Sequence, residues 1–166
     1  MSGLPKLSGE NYSMAQHGSS KLNLKESVAK SLFLGNILEE NIFPFPMING
    51  TEGETLRMVL DSIEKFMVPK SEDYRTFDRE GHQPAEYIES LRELGLFSLI
   101  IPEEYGGLGL SNAAYSRVLQ TTSGYDASTS LTIGAHSSIG LKGLILFGTD
   151  AQKAKYLPRL ASGEII

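Results

Sequence analysis

Residues 96–101, Leu-Phe-Ser-Leu-Ile-Ile, are the stretch on which the fold class turns. Six apolar-rich residues between Gly95 and Pro102 have the length and composition of a buried strand, and a strand here would suggest an α/β protein. A strand needs a neighbour to satisfy its backbone, however, and no second run of this kind exists to pair with it. The segment is followed at once by PEEYGGLGLSN (102–112), a turn-rich loop, so the surrounding pattern decides. Upstream, Pro84 stands where a first-turn proline belongs, and Tyr87, Ile88, Leu91 and Leu94 form an apolar stripe closed by Gly95. Further back, Thr51 with Glu54 reads as a capping box, and Leu56, Val59, Leu60, Ile63, Phe66 and Met67 recur at helical spacing up to Pro69. SEDYRTFDREGH (71–82) reads as a charged linker between these two helices.

Downstream, Ser111 or Asn112 is placed to cap a helix carrying Tyr115, Val118 and Leu119. Asp126 caps a long helix running to about Phe147. Thr149 with Gln152 makes a capping box for a last helix bearing Ala154, Leu157 and Leu160, which Pro158 should kink or shorten. These segments predict an all-α domain, an up-and-down bundle of five to six helices. At the other end, residues 1–24 are rich in Ser, Gly, Asn and Lys and predict a flexible tail, leaving 25–166 as the helical domain. ESVAKSLFLGNI (26–37) predicts a short helix stopped by Gly35, and IFPFPMING (42–50), with two prolines, an extended connection.

Composition narrows the function. A chain of 166 residues with 40% apolar content suits one domain, and a net charge of −5 with no basic block argues against nucleic acid. The absence of cysteine removes disulfides, thiolate metal sites and cysteine nucleophiles. The first thirty residues show neither a secretory signal nor a mitochondrial presequence, and the longest apolar stretch, Leu131–Phe147, is broken by His136, Lys142, serines and glycines. A soluble protein of a bacterial cytoplasm is the expectation.

Most motifs carry little chemistry. Gly106, Gly107 and Gly109 occupy the place of a dinucleotide fingerprint, but Asn112 stands where its third glycine should be and Glu103 and Glu104 would face a pyrophosphate. A tight turn is the better reading. His17, His82 and His136 have no ligand partner at helical spacing, so no metal site is expected. Ser137 and Ser138 lack a nucleophile elbow, and the pairs Glu39–Glu40 and Glu103–Glu104 read as solvated surface.

The helix STSLTIGAHSSIGLKGLILFG (128–148) is different. Ser130, Gly134 and Ser138 recur every four residues as a groove of small side chains, widened by Ala127, Ala135 and Gly143. Glycine within a helix costs roughly 0.5–1 kcal/mol against alanine, so something must approach the backbone closely. Two occupants fit: another helix, which periodicity alone favours, or a slender apolar ligand such as an acyl chain.

The strings IPEEYGGLGLSNAAYSR (101–117) and LTIGAHSSIGLKGLILFGTDAQKAKYLPRLASGE (131–164) resemble the N-terminal domain of acyl-CoA dehydrogenases, and ESVAKSLFLGNILEENIFPFP (26–46) is similar to the lead-in of their very-long-chain branch. Most specific is the run Gly148–Glu164, with Gln152, Lys153, Lys155, Tyr156, Leu157 and Pro158 in place. The resemblance implies an FAD enzyme that oxidises the α and β carbons of a fatty acyl-CoA in β-oxidation. A glutamate takes the α proton, hydride passes to the flavin, and electrons go on to an electron-transferring flavoprotein. That base lies in the family's C-terminal helical domain and the flavin site mainly in its middle β domain, which is expected to open just past Ile166. This fragment alone should therefore be inactive, with no catalytic or cofactor-binding residue of its own.

What the resemblance assigns to this chain is part of the acyl cavity: Ser130, Thr132, Gly134, Ala135, Ser138 and Ile139. Gly134 and Ala135 leave the cavity floor open, which implies a long acyl chain, and Phe in place of Gly134 should shorten the preferred substrate. Ser130 departs from the glycine of the very-long-chain relatives. The complete protein is expected to form a homodimer or tetramer. The rival from another class is a free-standing helical module that binds a lipid or a partner protein, and a weaker one is a nucleotide-binding α/β domain.

Overall fold

The computed structural model describes residues 27–39, 42–43 and 47–166. The tail expected over residues 1–24, and residues 44–46 of the expected proline-rich connection, lie outside the described residues. The chain divides into two compact units, Met1–Pro46 and Met47–Ile166. Within the first, α1 (Val28–Phe33) begins at Ser27, whose side chain accepts from the Lys30 amide, and turns off at Gly35 with φ +80°. It has no buried residue.

The second unit is helical throughout its regular structure, with no strand among the described residues. Its helices are α2 (Gly50–Met67), α3 (Ser71–Glu80), α4 (Ala85–Glu93), α5 (Asn112–Tyr125), α6 (Ala127–Gly134), α7 (Lys142–Phe147) and α8 (Asp150–Ala161). A π-helical segment, Ala135–Leu141, joins α6 to α7, so Ala127–Phe147 is one rod of 21 residues and the unit holds six helical rods. By length and composition alone this rod could cross a bilayer, contrary to the expectation that its serines and glycines make it too polar. Here it packs with α5, and Ile133 and Leu141 are fully buried.

LFSLII is not a strand. It winds through successive turns at the centre of the core, with Leu96, Phe97, Leu99 and Ile101 each at most 1% exposed. Its backbone is satisfied locally and by the glycine loop. Ser98 N–H donates to Gly95 O, Leu108 N–H to Ser98 O, Gly109 N–H to Ile101 O and Leu110 N–H to Leu99 O. Gly107 makes this closure possible, because a Cβ there would sit 2.0 Å from Ile101 O. The loop clasps its own chain, the tight turn that its glycines predict.

Several boundaries differ from the sequence reading. The expected charged linker is α3: a 3-10 turn, Val68–Lys70, carries the chain through Pro69 into a helix whose buried residue is Tyr74. Its apolar face is only Tyr74 and Phe77, three apart, which is too sparse to stand out among eight polar residues. The box expected at Thr51 does not form. α2 starts at Gly50, and Glu52 instead accepts the Ser111 backbone N–H at 2.7 Å, linking α2 to the start of α5. That bond holds the Glu52 carboxyl below its usual pKa. Pro84 is the N-cap of α4 rather than its first helical residue. Pro158 lies inside α8 without ending it, since it and Ala154, whose carbonyl loses its ladder donor, are both on the exposed face. The other caps stand as read. Ser111 accepts from Ala114, Asp126 from Thr129, and Thr149 and Gln152 form a reciprocal box.

The core runs from α2 (Ile63, Met67) through α4 (Leu91) and the 96–101 turns to Val118, Ile133, Leu141 and Leu157. α5 lies between α2 and α6, and so decides which face of the rod is covered and which is left open.

Candidate functional site

The six residues singled out on the rod separate onto two faces. Ser130, Gly134 and Ser138 turn toward α5 or bond the rod's own backbone. Ser130 is buried, donates to Leu119 O at 3.2 Å and accepts from Ser123 Oγ at 2.8 Å. A Cβ on Gly134 would meet Leu119 Cδ1 and the Tyr115 hydroxyl at 3.8 Å. Ser138 is exposed and its hydroxyl folds back to Gly134 O at 2.6 Å. At Ser130 and Gly134 the neighbour of the small-residue stripe is thus a second helix, one of the two occupants that periodicity allows.

Thr132, Ala135 and Ile139 lie on the other face. With His136, Gly140, Leu160 and Ile165 they line a cleft of about 550 Å³ between the rod and the end of the chain past α8, and its wall is largely apolar. The spacing 132, 135, 136, 139, 140 is a helical one and is legible in the sequence. Leu160 and Ile165 are not, because only the return of the chain past α8 brings them across from Ala135.

His136 seals one side of this cleft. Its ring is buried, stands edge-on to Phe97 with centroids 5.0 Å apart, and has Nε2 3.2 Å from Phe97 O. Burial holds its pKa below the usual histidine value, opposed by the carbonyls of Phe97 and Leu160. A neutral imidazole suits an apolar lining. No acid, base or nucleophile faces the cleft in an arrangement that could do chemistry, and no metal-binding cluster exists among the described residues.

Thr132 also borders a second, polar pocket of about 330 Å³ lined by Tyr74, Phe77, His82, Gln83 and Asp126. Its floor is a closed hydrogen-bond network. The Thr129 hydroxyl donates to Asp126 Oδ2 at 2.6 Å, and so accepts from Tyr87 at 2.7 Å and Gln83 at 3.0 Å. Gln83 in turn accepts from Thr132 at 2.9 Å, which ties the turn before α4 to the rod. Tyr87, buried beneath it, has its pKa raised by desolvation. Every hydroxyl of this network has a partner within the fold, which marks it as structural.

A helical domain whose long rod opens an apolar cleft beside a glycine-clasped turn defines a class with known members. The family model of the acyl-CoA dehydrogenase N-terminal domain matches residues 53–164. The chain belongs to the acyl-CoA dehydrogenase family. It is 37% identical over 142 residues to the very long-chain specific acyl-CoA dehydrogenase of human mitochondria, an alignment covering 85% of this chain and 22% of that protein. Among solved structures, butyryl-CoA dehydrogenase of Megasphaera elsdenii superposes with a TM-score of 0.57 at 30% identity, over 72% of this chain and 32% of that one. An acyl-CoA dehydrogenase of Bacillus anthracis complexed with FAD superposes at 0.56 and 32% identity, over 73% and 20%. The chain thus spans about a fifth of the length of the human relative.

Proposed function

We propose that this domain forms one wall of the acyl-chain cavity in an FAD-dependent enzyme that dehydrogenates long-chain fatty acyl-CoA in β-oxidation and passes electrons to an electron-transferring flavoprotein. The observation that carries this reading is the cleft itself: Thr132, Ala135 and Ile139 present a largely apolar wall across from Leu160 and Ile165. Ala135 adds the least bulk a side chain can, which keeps the wall low enough for a long tail. Ser130 and Gly134 belong to the same rod but serve it from behind, by setting how closely α5 packs.

The domain's own residues exclude water and guide the chain, and no step of bond cleavage falls to them. One feature supports a larger protein around it. Leu131, Ile139, Leu146 and Phe147 are 59–85% exposed along one rod, far more apolar surface than one helix of a finished enzyme leaves in water.

The test is to express the complete protein and add palmitoyl-CoA to it. A flavin absorbance that bleaches on addition, together with an inert 166-residue chain, is expected. A colourless complete protein, or one whose flavin ignores long-chain acyl-CoA, would remove the proposal.

A further inference from the structure

The rod changes character within the stretch that lines the cleft. Ala135–Leu141 is π-helical, between two ordinary α-helical halves. A π-turn accommodates an extra residue by bonding each N–H five residues back instead of four, and such turns persist mostly where a function requires them. The junction shows what supports this one. Ser138 Oγ donates to Gly134 O at 2.6 Å, and Tyr115 of α5 brings its hydroxyl to 3.5 Å from the same oxygen. Ser137, the next residue back, is fully buried on that side. Within the same turn, Ile139 and Gly140 line the cleft on the face shared with Thr132 and Ala135, Ile139 with 83% of its surface open.

We infer that Tyr115, acting with Ser138 on the Gly134 carbonyl, is a positioning residue that pins the π-turn and so sets where Ile139 stands in the cleft, and that this placement tunes acyl-chain length. The inference rests on the acyl-cavity reading above. Tyr115 itself does not line the cleft, so it acts only through the turn. Without the two hydroxyls, the Gly134 carbonyl returns to the ordinary four-residue ladder, the turn tightens, and the change of phase rotates Ile139 across the path of the chain.

The experiment compares the complete protein with its Tyr115→Phe/Ser138→Ala variant, which keeps the tyrosine ring and changes otherwise only an exposed serine. Because a misplaced side chain in an apolar pocket costs about tenfold in discrimination, the ratio of kcat/KM for palmitoyl-CoA over octanoyl-CoA is expected to fall by about that factor. Amide exchange over residues 139–142 should quicken while that of α2 is unchanged. Ser138→Thr, which retains the hydroxyl, should restore the ratio in the Tyr115 background. An active variant whose ratio and exchange both match wild type overturns the inference alone. A wild-type protein that oxidises neither substrate overturns it together with the reading beneath it, so the two failures are distinguishable.

Discussion

Ser123 of α5 donates its hydroxyl to Ser130 of α6 at 2.8 Å, and Ser130 passes its own proton to the Leu119 carbonyl at 3.2 Å. These bonds tie the two helices together and give the serine a structural use. Ser130→Gly is therefore expected to lower stability by about 1.5 kcal/mol, from roughly 0.5 kcal/mol of helix propensity and roughly 1 kcal/mol of lost hydrogen bonding. Chain-length preference should not move. Urea unfolding and a substrate series on the complete protein check both parts.

Gly134 and Ala135 are adjacent in sequence and opposite in role. Phenylalanine at 135 would project into the cleft and is expected to shorten the preferred acyl chain, with about a tenfold loss of kcat/KM for palmitoyl-CoA and little change for octanoyl-CoA. Phenylalanine at 134 would be driven into Leu119 and Tyr115, so its main effect should be destabilisation by about 1–3 kcal/mol from overpacking. The expectation from sequence, that Gly134 itself gates chain length, passes on this geometry to its neighbour. The opposite pattern, a stable Gly134→Phe variant with a shortened chain preference, would reverse the assignment.

His136 makes stability depend on pH. Burial depresses its folded pKa below the ordinary histidine value of about 6.5, so the unfolded chain takes up a proton that the folded one resists. Its contribution is complete above pH 6.5 and is lost as pH falls below it, at no more than about 1.4 kcal/mol per pH unit for one group. His136→Gln keeps a donor for Phe97 O and should flatten the decline between pH 6.5 and 5. Parallel denaturation curves for wild type and variant across that range would contradict this account.

A helix cap is legible locally where its residues three apart bond one another, and it fails at Thr51, where α2 starts a residue earlier and Asn49 takes the cap position. Ser111, Asp126 and the Thr149–Gln152 box needed no tertiary information. α3 escaped because its stability comes from Tyr74 and Phe77 packing with Tyr87, contacts that a mostly charged segment does not advertise. Its αL stop at Gly81 was the available sign.

By itself the amino-acid sequence determined that the domain is helical, where most helices begin, and that one helix is pared down to small side chains. Which side of that helix meets a neighbour and which stays open was decided only by the fold. Periodicity defines faces relative to one another, but their assignment depends on where α5 and the chain end past α8 arrive in space. The π-turn adds a shift of phase within the rod, and it is supported by a tyrosine about twenty residues earlier in the chain, through a contact that no local pattern contains.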